Sequence, residues 1–318
     1  MTRRIARRTR GHGSGPIVRL MSPSDLGEHL KPFVFLDLFE ADMRGLAGSM
    51  PVHPHSGIAT VTVFTDGDVT FDDPQAGHGI IGYGGVEWVR AGRGMWHGKE
   101  LSAGTSATVQ GFQLWVALPP DQEHAEPEAQ YIGAEQMPGI GPARLIVGAY
   151  QRTTSPVRAP GAINYLLVTL KPGERWTYEP PSGHVTGWVA IAKGALTTGE
   201  RLSTGELAIF EQGETPITFE GADGVGATFV LGSAVPHPYP LHLGAYSVHT
   251  SAEALAAGER HIRELRQRLD ATGDRRTASG STPVFRGKVR IALANSIAGG
   301  RPSTLSTWAR ENFSVQAA

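Results

Sequence analysis

The chain of 318 residues contains no cysteine. That excludes disulfides, thiolate metal ligands and a cysteine nucleophile, and it fits a cytoplasmic setting. No apolar run approaches the ~18 residues that a membrane-spanning helix needs. The arginine-rich start is not followed by the apolar stretch of a secretory signal. A basic surplus is missing as well. The formal net charge is −1; residues 1–10 carry five Arg and no acid, and residues 271–318 carry seven Lys and Arg against two Asp and Glu. Residues 11–270 are left with 17 basic and 28 acidic groups, a net of −11. Such a body has no broad basic face for nucleic acid. Neither direct nucleic-acid binding by the core nor a membrane association is expected, and the basic ends read as solvated tails.

What the chain has in quantity is turn residues. Its 41 Gly are about twice the usual share of ~7%, and 22 Pro are scattered among short apolar runs. That pattern predicts an all-β protein. Strand-like runs fall at 17–20, 33–39, 59–64, 69–71, 79–81, 86–89 and 112–118, with Asp66-Gly67 supplying a tight hairpin turn. A Pro-, Glu- and Gly-rich stretch at 119–142 looks like a connection. A second series follows at 163–170, 187–192, 207–211, 217–219 and 227–231. The two series echo each other: the run 64–69 resembles 192–196, and 81–86 resembles 202–207, which argues for two tandem copies of one β-barrel. Residues 251–269 carry the one clear helical pattern, with Thr250 or Ser251 as N-cap and Ile262, Leu265 and Leu269 on the docking face. The resulting division is a basic tail (1–14), a first barrel (15–125), a connection (126–160), a second barrel (161–250), a helix (251–270) and a disordered tail (271–318).

The chemistry-bearing feature is His53-Pro54-His55, followed some forty residues later by His97. Residues two apart on a strand share a face, so His53 and His55 would aim both imidazoles at one point, and His97 from another strand would supply a third corner. Imidazole suits iron, zinc, copper and nickel. Pro54 lacks an N–H, which places this piece at a strand end or edge. The remaining histidines, among them His124, His184 and His249, show no ligand spacing and read as ordinary. Trp88, Trp96 and Trp115 read as barrel core rather than a substrate platform, and Glu87 as solvent-exposed.

These motifs, in order, resemble the pirin family of bicupins: Phe35-Leu36-Asp37-Leu38-Phe39, then His53-Pro54-His55-Ser56-Gly57, then the run 85–94 leading to His97, then Gly111-Phe112-Gln113-Leu114-Trp115. The resemblance spans roughly residues 15–270. It implies two jelly-roll-like barrels with one non-haem iron (Fe2+) in the first, other divalent metals being possible occupants. The family's ligands fall on His53, His55 and His97, but its fourth, a Glu, falls on Lys99. An ammonium beside a divalent cation is repelled and must lose its proton or swing away. Glu100 would face outward unless the chain bulges at Gly98, where glycine permits it. Two arrangements are therefore open: Glu100 turned in as the fourth ligand, or three histidines alone. The resemblance further implies dioxygenase chemistry of the quercetin 2,3-dioxygenase type on a flavonol-like substrate, with Lys99 or Glu100 as the candidate base. The alternatives are a non-enzymatic iron protein acting through a protein partner, and a metal-free degenerate bicupin.

Overall fold

A computed structural model describes residues 2–13, 15–42, 52–73, 76–98 and 100–272. The apolar runs become strands of two antiparallel barrels. In the first, one sheet runs in the order Glu128–Ile132, Val86–Arg90, Ile58–Asp66, Thr108–Ala117, Phe33–Asp42, Ile17–Met21. A three-stranded sheet (Leu101–Ala103, Asp68–Asp73, Gly77–Gly82) and a two-stranded ribbon (His53–His55 with Met95–His97) complete it. The second barrel is a ten-stranded sheet centred on Thr186–Thr198 and Ala227–Ala234. Only two α-helices occur among the described residues, Leu26–Leu30 and Ala252–Thr272. This is the all-β bicupin architecture. No helix among the described residues is long and apolar enough to cross a membrane.

The internal echo is structural. Gly84 N–H donates to Phe64 O at 2.8 Å and Gly205 N–H to Ile191 O at 2.9 Å. Gly67 and Gly194 both hold positive φ, at 72° and 79°, where a side chain would collide with the carbonyl of Thr108 or of Gly226.

Strand alternation gives each barrel two faces. Val61 lies opposite Trp88 and Leu114, whereas Thr62 lies opposite Glu87 and Gln113. The Val61 face (with Val63, Trp88, Phe112 and Leu114) packs in one cluster with Tyr165, Leu167, Trp188 and Val230 of the second barrel. Phe33 meets Trp188 edge-on at 5.4 Å. The other faces differ in kind. The second barrel is filled by Leu166, Val168, Val189, Ile191, Phe219, Phe229 and Leu231. Turned the opposite way in the first are Asp37, Thr60, Thr62 and Glu87, all buried. Burying polar groups costs free energy unless they are bonded or used, which makes this face of the first barrel the place to look for a site.

Three expectations need correction. The basic start is no solvated tail: Ile5–Thr9 pairs antiparallel with Leu207–Phe210 of the second barrel. Its charges meet acids of the body, Arg4 on Glu211 and Arg8 on Glu200 and Glu206. The stretch read as a connection is built into both barrels, since Glu128–Ile132 pairs with Val86–Arg90 and Ala143–Val147 with Ile163–Leu170. Glu87 is buried rather than exposed, because its register puts it opposite Thr62. The C-terminal helix forms as expected, with Ser251 Oγ accepting from Ala254 N–H at 3.1 Å. Ile262, Leu265 and Leu269 are buried. Apart from 271–272 in the helix, the segment expected to be disordered lies outside the described residues.

Replacing Trp188 by Ala removes one of the two tryptophans of this cluster and is expected to cost about 3–5 kcal/mol. Chemical denaturation measures it, and a loss below ~1 kcal/mol would show that this cluster does not hold the barrels together.

Candidate metal centre

The ribbon sets the geometry. Pairing places His53 opposite His97, Pro54 opposite Trp96 and His55 opposite Met95. Three-residue strands in a two-stranded ribbon leave an edge on which a proline costs no ladder bond. The three imidazoles share one face, with ring centroids 4.6 Å (His53–His97), 4.9 Å (His53–His55) and 5.1 Å (His55–His97) apart. One nitrogen from each lies within 4.8 Å of the other two. His55 and His97 are buried and His53 half-buried, which marks the open side. The opposite face carries Trp96, whose indole N–H donates to Ile262 O at 3.0 Å. There Leu265 and Leu269 of the C-terminal helix pack on Trp96 and Val52.

Each buried ring is held from behind. His55 Nδ1 lies 3.2 Å from the carbonyl oxygen of Tyr246, so Nδ1–H donates there and the lone pair sits on Nε2. That Nε2 is buried and has no hydrogen-bond partner among the described residues. Burial, then the neighbouring His53 and His97, push the His55 pKa well below 6.5. The neutral imidazole that results is the form that binds metals. A buried, neutral, unsatisfied nitrogen facing two further imidazoles fits a borderline-soft divalent ion.

His97 is held by Glu100. The chain turns at Gly98 with φ of 132°, as the bulge alternative requires, and Glu100 is buried. Its carboxylate lies against His97 Nδ1 at 2.7 Å and accepts Gly98 N–H at 2.7 Å. Glu100 thus stands behind His97 and is not in the group of three whose ligand atoms converge. A carboxylate on the distal nitrogen of a ligand histidine fixes its tautomer and raises its basicity. Lys99, the residue at the family's fourth ligand position, lies outside the described residues.

Glu87 completes the buried charge cluster. It accepts a hydrogen bond from Thr62 Oγ1 at 2.9 Å, and its other oxygen has no hydrogen-bond partner among the described residues. Burial, then the negative charge of Glu100, raise its pKa to about 7. Burial alone would raise Glu100 too, but His97 and the Gly98 N–H outweigh it and bring that carboxyl down to about 2. One carboxyl is thereby inclined to keep its proton and its neighbour to lose it.

A second set was missed in the sequence. Glu123, His124 and His249 also bring ligand atoms within 4.8 Å of one another. His184 lies 2.9 Å from Ser233 Oγ through Nδ1. Trp88 and Trp115 are buried in the core, and the Trp115 and His55 rings meet at a steep angle, 4.9 Å between centroids.

The pirin family model matches residues 17–116, the stretch that holds all three histidines and Glu100. Human pirin is 27% identical over 265 residues, covering 80% of this chain and 89% of its own. In sequence the chain is similar to the pirins, and it carries a candidate metal site in a bicupin fold. A Pseudomonas aeruginosa relative of this pirin-like chain, provisionally named a quercetin 2,3-dioxygenase, is 28% identical over 239 residues, 70% of this chain and 82% of its own. Among solved structures, a quercetin 2,3-dioxygenase from Acinetobacter baumannii matches with a TM-score of 0.71 at 23% identity, over 84% of this chain and 98% of its own. At that identity the likeness speaks for the fold.

The Glu87 shift gives a pH dependence with a definite sign. A carboxyl whose folded pKa is raised from 4.5 to about 7 favours the fold fully below pH ~4.5, and this contribution is lost as the pH rises through ~7. In the metal-free pirin-like protein, Glu87→Gln removes this loss and is expected to stabilise the chain at pH 8 relative to pH 5 by a few kcal/mol compared with the parent. Urea denaturation at several pH values measures it; parallel curves for the two proteins would count against the assignment.

Proposed function

We propose that the chain holds one divalent first-row metal, iron(II) in the working form, through His53, His55 and His97, and that this centre acts on a flavonol-type substrate. The observation that carries the metal reading is the buried, partnerless Nε2 of His55 aimed among three imidazoles. The substrate class comes from relatives named for quercetin 2,3-dioxygenase. When bound, the ion supplies vacant positions beside the imidazoles and redox chemistry with dioxygen. Glu100 supports His97, His53 borders the open side, and Trp115 closes the wall behind His55. The cytoplasmic setting belongs to the same proposal.

A dioxygenase of this type needs a base for the flavonol hydroxyl. Glu100 suits that task poorly: a carboxylate brought down to about 2 and bonded to two donors is a weak acceptor at neutral pH. The role then falls to Lys99, whose amine must be neutral to serve. The same observation favours a second reading, a metal-dependent regulator that contacts a protein partner. A body of net charge −11 suits a basic one.

Metal analysis of untagged, unchelated protein is expected to give about one ion per chain, and His55→Ala to abolish it. Absence of metal from the parent sinks both readings in favour of a degenerate bicupin. Iron-loaded protein supplied with quercetin should consume O2; retention of the iron without O2 uptake removes the dioxygenase and leaves the regulator. A pull-down that recovers no protein in either iron oxidation state removes that second reading.

A further inference from the structure

Behind the HPH strand lies a buried polar chain that the metal reading does not use. Glu123 Oε2 accepts from His249 Nδ1–H at 3.0 Å, and Ser56 Oγ lies 2.9 Å from His249 Nε2 and 2.8 Å from Ser247 Oγ. Glu123 is held in turn by Thr250, whose N–H and Oγ1–H donate to its two oxygens at 2.8 and 2.7 Å. Ser56, Ser247, His249 and Glu123 are all buried.

Acid, imidazole and hydroxyl stand in the order of a nucleophile triad, but Ser56 has no exposed surface and no substrate reaches it. A second metal site fits no better. Both nitrogens of His249 are engaged, and the His124 ring stacks on His249 at 5.5 Å.

What the chain does touch is the neighbour of a metal ligand. Ser56 follows His55 directly, and Ser247 follows Tyr246, whose carbonyl takes the His55 Nδ1–H. Ser56 and Ser247 form a parallel bridge, and Val248 N–H donates to Ser56 O at 3.3 Å. Two glycines make room for the His249 ring. A Cβ at Gly57 would come within 2.8 Å of it, and one at Gly258 within 2.5 Å of His249 Nε2 and of Ser56 Oγ. Gly258 sits inside the C-terminal helix, where glycine costs about 1 kcal/mol relative to alanine. Close approach is the reason for it.

We propose that Glu123, His249 and Ser56 are positioning residues for the metal centre: they fix segment 246–250 against the HPH strand so that the Tyr246 carbonyl holds His55 with Nε2 facing the metal. The inference rests on the metal reading and makes the C-terminal segment a working part of the first barrel's site. Groups that orient a ligand in this way typically contribute 10–100-fold in affinity.

The test uses Ser56→Ala and Glu123→Gln in the full chain, with Co2+ as probe. Co2+ affinity by chelator competition is expected to fall about tenfold or more, with an altered visible absorption band. Metal-free Ser56→Ala should melt close to the parent. Ser233→Ala, which removes a buried hydroxyl from the second barrel, should leave affinity and band unchanged. In metal-free protein, ring 15N–1H spectra should show His55 as a single Nδ1–H tautomer in the parent and as a mixture in Ser56→Ala. Parent-like affinity, band and tautomer in Ser56→Ala overturn the proposal, whatever Glu123→Gln does. If the parent takes up no Co2+, the metal reading fails, and the His55 tautomer still decides whether the tether orients the ring.

Discussion

The centre depends on the pairing of two three-residue strands. His53 opposite His97, with His55 two residues along, is a matter of backbone register, and a slip of one residue would turn Trp96 inward and His97 out. So short a ribbon cannot hold its own register. It is braced on one face by the C-terminal helix through Trp96, and at its end by the Tyr246 carbonyl and the Ser56–His249–Glu123 chain. The convergence of the imidazoles is thus a tertiary achievement, assembled from segments nearly two hundred residues apart.

The two barrels are duplicate frames put to opposite uses. The same turn glycines and main-chain bonds recur in both. Yet the second is packed with aliphatic and aromatic side chains, while the first buries two glutamates beside a histidine. Buried carboxyls close together cannot both ionise cheaply. The His97 ring and Gly98 N–H settle which one does, stabilising charge on Glu100 and leaving Glu87 to favour its proton. Among the described residues the second barrel has no such pair of buried glutamates.

Much of this was legible in the amino-acid order, for reasons of period and punctuation. Alternating apolar residues and turn glycines announced the strands, and their recurrence announced the duplication. The His-x-His spacing placed two rings on one face. The rest failed where an answer depended on partners distant in the chain. Charge counting alone cannot see that Arg8 meets Glu200, 192 residues away, so the basic start read as a tail. Glu87 read as exposed because strand register is not written locally. Glu100 stayed ambiguous because it hung on the backbone angle of one glycine. His249 looked ordinary because its carboxylate partner lies 126 residues earlier.

The first and last described elements cross over: the first strand joins the second barrel's sheet, and the last helix lies on the first barrel. A ribosome delivers the HPH strand early and His249 with its helix late, so the nascent first barrel waits, its ribbon unbraced, while nearly two hundred further residues are made. Aiming the three imidazoles is thereby a late step, and a polypeptide stopped before Tyr246 would carry His53, His55 and His97 and still lack the brace that aims them.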